Sequence, residues 1–452
     1  LTQSRKGAKI ISLMEKKYYI ETYGCQMNVH DSEKMAGILS KLGYAPSRDE
    51  HGADLVLLNT CSVREKAAQK IFTRLGQLKK LKTGKPGMAI GVCGCLAQQE
   101  KDLFFKGRPY VDLVFGPRNI SDLPKLLGEL QRERKQLLAL SGPRQEPTFE
   151  VETVLRDAPF KAYITIMEGC DKFCSFCVVP FLRGREISRD PHSILEEARR
   201  LADLGYVEIC LLGQNVNSYR YESFDFADLL VSLHEIPGLR RLRYTSPHPT
   251  DINRKVMDLY GSLQKLCNNL HLPLQAGSND VLRRMKRDYS QEEYMQKVEY
   301  IRRRCPDIAL SSDIIVGFPG ETRQDFQATM NIVRQVEYSS IFSFKYSQRP
   351  FTSALKLEDD VPEEEKSERL SELQQTQREI QIRLNHGLIG QTKEVLVETH
   401  SKKNSEMLMG RTNCNRSVNF EGTSDLLGKF VQVNITGAGP NSLVGDLARS
   451  AQ

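Results

Sequence analysis

The 452-residue sequence contains no run of about eighteen apolar residues, which excludes a membrane-spanning helix. Its first segment, LTQSRKGAKIISLMEKK, lacks the apolar core and the small-residue cleavage pattern of a secretory signal. Residues 1–17 are therefore expected to be a disordered basic tail, with Met14 available as a natural start and a transit peptide as the weaker alternative. Net charge is small: 64 Lys+Arg against 57 Asp+Glu leaves +7, which permits a polyanionic partner without demanding one. A compact disulfide framework is also excluded, because eleven cysteines are an odd number scattered over a long chain. They point instead to a reducing, cytoplasmic setting, with thiols serving as ligands or as buried apolar groups. Core-forming material is not scarce. Hydrophobic residues make up 40% and charged residues 27%, ordinary values for a soluble globular chain. At roughly 150 residues per domain the length suggests about three domains.

From Tyr18 short apolar runs alternate with amphipathic stretches. YYIETYG (18–24), ADLVLLNT (53–60), GMAIGV (87–92) and VDLVFG (111–116) read as strands. Helices are expected over 31–42 from an Asp/Ser cap, through Leu81, after residue 92, and over 121–138. This alternation predicts a parallel α/β domain over 18–140, followed by a Pro- and charge-rich linker over 141–159. A second series offers strands at 161–168, 207–213, 241–246, 269–274, 309–317 and 338–346. Six strand–helix units are too few for an eight-stranded barrel and suit a partial one, closed by a long helix over 362–388. After residue 388 the texture changes to short alternating strands around TKEVLVE, KFVQVNI and SLVGDL, predicting a small antiparallel β-barrel over 389–452.

The strongest chemical signal is Cys170, Cys174 and Cys177, in MEGCDKFCSFCVVPFLRGRE at the end of the second series' first strand. Three thiolates on one loop can hold three irons of a 4Fe-4S cluster and leave the fourth open to a small molecule. Structural zinc wants four ligands, usually from paired CxxC elements, and no second CxxC occurs. In the first domain Cys25, Cys61 and Cys95 each follow a strand and precede a helix. The carboxyl ends of parallel strands share one edge, and helix N-termini there favour thiolates. Topology alone leaves two readings open: a second three-cysteine cluster, or three separate buried cysteines.

The loop at Cys170, heading a β/α series, resembles the radical S-adenosylmethionine superfamily. ETYGCQMNVHDSE, NTCSVREKA, GVCGCLAQ, LLGQNVNSY, HLPLQAGSNDVLRRMKR, SSDIIVGFPGET and GRTNCNR together resemble the methylthiotransferase family, from about Tyr18 to Asp446. The resemblance implies a radical cluster on Cys170, Cys174 and Cys177, where reductive cleavage of S-adenosylmethionine yields a 5′-deoxyadenosyl radical. It implies an auxiliary cluster on Cys25, Cys61 and Cys95, with Cys93 a neighbour and not a ligand. QMNVHDSE and CSVREKA look like the branch that methylthiolates carbon 2 of isopentenyladenosine at position 37 of tRNA. The runners-up are branches acting on threonylcarbamoyladenosine in tRNA or on a ribosomal-protein aspartate. A reading of another class is a non-catalytic tRNA-binding or regulatory protein, against which the retention of all six cysteines argues. A low-potential donor such as flavodoxin or ferredoxin is implied, and a monomer is expected.

By the same resemblance, Gln214 and Asn217 are candidates to position S-adenosylmethionine, and Ser246, Gln275 and Asp313 occupy comparable strand ends; a polar loop capping the next helix is the plainer alternative. Arg183 and Arg185 directly follow the cysteine loop, where phosphate or substrate contacts would be useful. The terminal barrel resembles a TRAM domain, an RNA-binding module, with Arg411, Asn415 and Arg416 as candidates for the anticodon arm. Cys210 lies in an apolar strand and reads as core. The chain departs from the family's usual form at Ala276, Gln348, Phe351 and Ser353, which bears on the substrate side and leaves every cysteine in place.

Overall fold

The computed structural model describes residues 16–448, apart from 63–64, 134, 143–146, 148, 150–153, 157, 402–403 and 405. The expected basic tail lies outside the described residues up to Glu15, as does part of the expected linker. The chain divides into two compact units, residues 1–155 and 156–452.

The first unit is a six-stranded sheet in which every pairing is parallel. Its spatial order is Ala45–Pro46, Lys17–Thr22, Leu55–Thr60, Ala89–Gly94, Leu113–Phe115, Leu137–Ala139. Side chains alternate along a strand, and here both faces are covered, so Leu55–Leu58 reads as an unbroken apolar run. Helices Gln26–Lys41 and Leu123–Glu133 cover one face through Met35, Leu39, Leu123 and Leu127. Helix Glu65–Gly84 and the short helix Cys95–Glu100 cover the other through Ile71, Leu75, Leu78 and Leu96. Two expectations are corrected. The first helix begins at Gln26, so Asp31, expected near the cap, is buried inside it. The helix expected to run to 138 stops at Glu133, and Leu137–Ala139 pairs with Leu113–Phe115 as a sixth strand. The apolar LLAL tail follows a highly charged turn, and the free edge of the sheet is where its backbone and Leu137 are both satisfied.

The second unit opens with six parallel strands in two groups of three. Lys161–Thr165, Glu208–Leu212 and Arg241–Tyr244 form one; Asn269–His271, Ala309–Val316 and Ser340–Lys345 form the other. The groups join where Leu242 donates to Lys265 and accepts from Cys267, completing a partial barrel. Reciprocal capping boxes at Asp225, Ser290 and Thr322 fix where three of the outer helices start. Helix Glu363–His386 packs on the last strands, burying Leu373 and Ile380. The terminal barrel closes in the order Thr392–His400, Met407–Thr412, Ser417–Glu421, Leu443–Leu447, Phe430–Ala438. Its expected antiparallel character holds for four of the five pairings. Val418–Phe420 runs parallel to Leu443–Gly445, the pairing that closes the barrel.

Among the described residues no helix is long and apolar enough to cross a membrane.

Candidate iron–sulfur and cofactor sites

In the first unit, register alone aligns three cysteines. Thr22 pairs with Asn59 and Asn59 with Cys93, so the next two or three residues of each strand emerge in one row at the carboxyl edge. Those residues are Cys25, Cys61 and Cys95. The row lies where the strand order reverses, between Lys17–Thr22 and Leu55–Thr60, which is the ligand crevice of an open α/β sheet. Cys25 is the N-cap of its helix and Cys95 the first residue of helix Cys95–Glu100, so both sit at positive helix ends.

The loops approach so closely that glycine is required. A Cβ on Gly24 (φ +137°) would fall 2.8 Å from Cys61 Cβ, and one on Gly94 (φ +90°) 2.5 Å from the Thr60 carbonyl oxygen. Two buried amides tie the loops together. Asn28 Nδ2 donates to Asn59 Oδ1 and to the Thr60 carbonyl, both at 3.1 Å, and Asn59 Nδ2 donates to the Asn28 carbonyl at 2.8 Å. Asn28 and Asn59 escaped the sequence reading. Their signal was present, as polar residues inside otherwise apolar QMNV and LLNT. Cys93 faces the core: its Sγ lies 3.7 Å from Met35 Sδ and 3.5 Å from the Leu58 carbonyl, and burial holds its thiol well above the ordinary value.

In the second unit, Cys170, Cys174 and Cys177 ride on a loop fixed from several sides. Ser175 donates its N–H to the Met285 carbonyl and its hydroxyl to the Arg284 carbonyl. Lys172 pairs with Asp251 at 2.9 Å; Asp251 accepts from Asn215 Nδ2 at 2.7 Å, and Asn215 Oδ1 accepts from the His248 N–H. Arg287, almost wholly buried, directs its guanidinium at Cys174 Sγ, 3.3 Å away. Burial pushes the Cys170 and Cys177 thiols up to about 12. Without a bound cation they stay protonated, and metal binding is what would turn them into thiolates.

Among the described residues no three Cys, His, Asp or Glu side chains are already closed into a coordination group. Each trio is brought together by its backbone. The donor sets nevertheless fit iron–sulfur clusters: three thiols each, glycine-lined crevices, and for the second trio a buried guanidinium beside the middle sulfur.

Gly169, just before the loop, has φ +86°, and a Cβ there would lie 1.9 Å from the Arg185 carbonyl oxygen. Gly169→Ala should therefore destabilise the protein by about 2 kcal/mol or more, read as a fall in thermal midpoint and in reconstituted iron content.

The candidates for S-adenosylmethionine gather at this edge. Gln214 Oε1 accepts the Gly169 N–H, while its Nε2 is buried with no hydrogen-bond partner. Asn217 is buried beside the Tyr244 hydroxyl. Ser246 (φ +60°) and Gln275 (φ +68°) both adopt the left-handed conformation, strain of the kind that collects at binding sites. The Gln275 N–H donates to the Asp313 carbonyl, and Asp313 Oδ2 faces His271 Nε2 at 3.2 Å. His248 is a residue the sequence reading missed. Burial, then Arg287, Lys172 and Lys297, hold it down to about 2, so it is a neutral imidazole.

The expected RNA contacts divide by exposure. Arg183 is 3% exposed and faces the buried Glu168 at 3.8 Å, so it serves the protein interior. Arg411 and Arg416 are partly exposed and also engaged by the protein. The Arg411 carbonyl accepts from Arg241, its guanidinium reaches Glu398, and Arg416 donates to Asn385. Arg241 begins its strand, a strand length, about 17 Å, from the edge bearing Cys170. Arg185 and Asn415 remain exposed.

A cysteine loop at the carboxyl edge of a partial parallel barrel defines a radical S-adenosylmethionine protein, and residues 164–333 match the family described as the radical SAM superfamily. Residues 17–116 match the uncharacterized protein family UPF0004, and residues 388–448 the TRAM domain. Curated relatives align along nearly all of the chain. A tRNA-2-methylthio-N(6)-dimethylallyladenosine synthase of Solibacter usitatus is 48% identical over 440 residues, covering 96% of this chain and 98% of its own. The protein of the same name from Carboxydothermus hydrogenoformans is 46% identical over 429 residues, covering 94% and 97%. The chain belongs to the tRNA-2-methylthio-N(6)-dimethylallyladenosine synthase family. Among solved structures, the radical S-adenosylmethionine methyltransferase TsrM of Kitasatospora setae, with cobalamin and a [4Fe-4S] cluster bound, shares the fold. Its TM-score is 0.54 at 15% identity, covering 84% of this chain and 80% of that one.

Proposed function

We propose that this chain, a radical S-adenosylmethionine enzyme, adds a methylthio group to carbon 2 of N6-dimethylallyladenosine, also called isopentenyladenosine, at position 37 of tRNA. The observation that supports this most is the pairing of two cysteine trios, each at the carboxyl edge of its own parallel sheet, in a chain aligned end to end with synthases of that name.

In this reading Cys170, Cys174 and Cys177 hold one 4Fe-4S cluster, and Cys25, Cys61 and Cys95 hold a second. When bound, the clusters and S-adenosylmethionine supply the electron for reductive cleavage and the sulfur and methyl to be transferred. The chain's own groups position and exclude. Arg287 supplies positive charge beside Cys174 in a buried setting. Gln214, Asn217, Ser246, Gln275 and Asp313 line the S-adenosylmethionine side, with the Gln214 amide nitrogen free to donate. Arg185, exposed and held by Asp171 of the loop, is a cation available to RNA. The domain limits we propose are 18–140, 160–388 and 389–452, the last a TRAM domain that binds tRNA. The enzyme works as a cytoplasmic monomer fed by a flavodoxin- or ferredoxin-type donor.

Anaerobic reconstitution followed by mass spectrometry of nucleosides from isopentenylated tRNA tests the reading. A methylthio product is expected; its absence with both clusters loaded would overturn the function. Cys95→Ala should abolish methylthio transfer yet retain reductive cleavage of S-adenosylmethionine. Cys93→Ala should keep both activities, because Cys93 packs against Met35. The reverse pattern would reassign the ligand.

A further inference from the structure

Beside the Cys170–Cys177 loop the surface carries three aromatic rings that packing does not require. Phe173, Phe181 and Phe351 are 37%, 46% and 51% exposed. They touch in series: Phe173 meets Phe181 edge-on at 6.0 Å between centroids, and Phe181 meets Phe351 at 6.2 Å. The Arg185 guanidinium lies over Phe173, 5.2 Å from its centroid, held by Asp171 at 2.7 Å.

Two of the three rings sit on left-handed backbone, Phe173 at φ +48° and Phe351 at φ +68°. A bulky residue rarely adopts that conformation, and it persists only where the surroundings impose it. Folding gains little from these rings, since each keeps a third or more of its surface in water. Exposed apolar groups gathered in this way mark a binding face.

Charge selects the occupant. Arg185 is the cation seen to touch a ring, and Arg349 stands two residues before Phe351 in sequence. Flat rings with a stacked guanidinium are the chemistry that holds unpaired nucleobases, whose faces stack and whose phosphates are anionic. We propose that Phe173, Phe181 and Phe351, with Arg185, form a stacking ledge for unpaired bases of the substrate RNA next to the cysteine loop. This rests on tRNA being the substrate.

The test is fluorescence anisotropy with the full, cluster-loaded chain and two labelled RNAs: an anticodon stem-loop and a blunt duplex of the same stem. Phe351→Gly, which suits the left-handed backbone, and Phe181→Ala should each weaken the stem-loop about tenfold while shifting the duplex by less than about twofold. Thermal unfolding of both variants verifies folding. Unchanged stem-loop affinity, or an equal loss on the duplex, would overturn the ledge. So would a variant that binds RNA normally but turns over poorly with flavodoxin and normally with dithionite, because the face would then dock a protein donor. A parent chain that binds the stem-loop through these rings yet forms no methylthio product would overturn the functional reading and leave the ledge standing.

Discussion

Arg287→Met should abolish methylthio formation while leaving the cluster-free chain at least as stable as the parent. Arg287 is buried, and its hydrogen-bond partners are the Tyr289 hydroxyl at 3.1 Å, the Pro273 carbonyl at 3.3 Å and Cys174 Sγ at 3.3 Å. None is a carboxylate. The Tyr289 phenol is itself committed as a donor to the Leu274 carbonyl at 2.7 Å, so it stays neutral. The Cys174 sulfur is the partner able to become the counter-ion, and it does so only as a thiolate. A buried cation lacking an anion costs several kcal/mol, a cost relieved when metal binding turns the facing thiol into thiolate. Methionine removes the charge at similar length, and Ser175 still anchors the loop through the carbonyls of residues 284 and 285. Iron and sulfide retained after anaerobic reconstitution should fall at least about tenfold, a difference of roughly 1.4 kcal/mol or more in loading. Thermal unfolding of the cluster-free protein should be unchanged or higher. Normal iron loading by the variant would show that the guanidinium acts on packing and not on the thiolate.

This residue also marks where sequence reasoning stopped. The six cysteines were visible because their order relative to apolar runs is a matter of chain position, and parallel register turns that order into a shared edge. Arg287 lies 113 residues from Cys174, in the basic run RRMKR, where nothing local singles it out. Its burial is decided by the turn that returns the chain under the loop, which no local pattern encodes. Asn28 and Asn59 escaped for a related reason: two amides joining two loops are recognisable only once the strands are paired. Leu137–Ala139 was lost to a helical pattern because three residues of edge strand carry no period of their own. For Arg411 and Arg416 charge pointed to RNA, and their protein contacts could not be read from charge. Arg411 reaches Glu398 on the neighbouring strand and the Asn415 carbonyl, and Arg416 reaches Asn385 of the long helix, pairings set by the folded barrel.

Those contacts set the second large effect, at the end of the barrel opposite the cysteine loop. Glu208 is fully buried, with Arg243 Nε at 3.1 Å and Lys161 Nζ at 3.5 Å. Arg243 also donates to the Thr412 and Asn413 carbonyls of the terminal barrel, each at 2.9 Å, while Arg241 reaches the Arg411 and Glu394 carbonyls. One guanidinium thus neutralises a buried carboxylate and fastens the terminal barrel by its backbone. Arg243→Met should cost about 3–5 kcal/mol, since it leaves buried Glu208 with Lys161 as its one ion-pair partner and takes a donor from the Thr412 and Asn413 carbonyls. Thermal unfolding should show the loss, and proteolysis between residues 386 and 392 should release the terminal barrel. Adding Glu208→Gln to Arg243→Met should recover part of the stability, because the under-compensated buried charge is the larger share of the damage. The pH dependence follows from the same pair. Burial alone would raise the Glu208 carboxyl, but Arg243, Lys161 and Arg241 more than offset it and hold it below the usual range. Its contribution is then complete above an unfolded carboxylate value of about 4.3 and is lost as pH falls through the lower folded value. The parent should therefore lose stability in acid more steeply than Glu208→Gln. Parallel acid curves for the two proteins would show that Glu208 is not ionised in the folded chain.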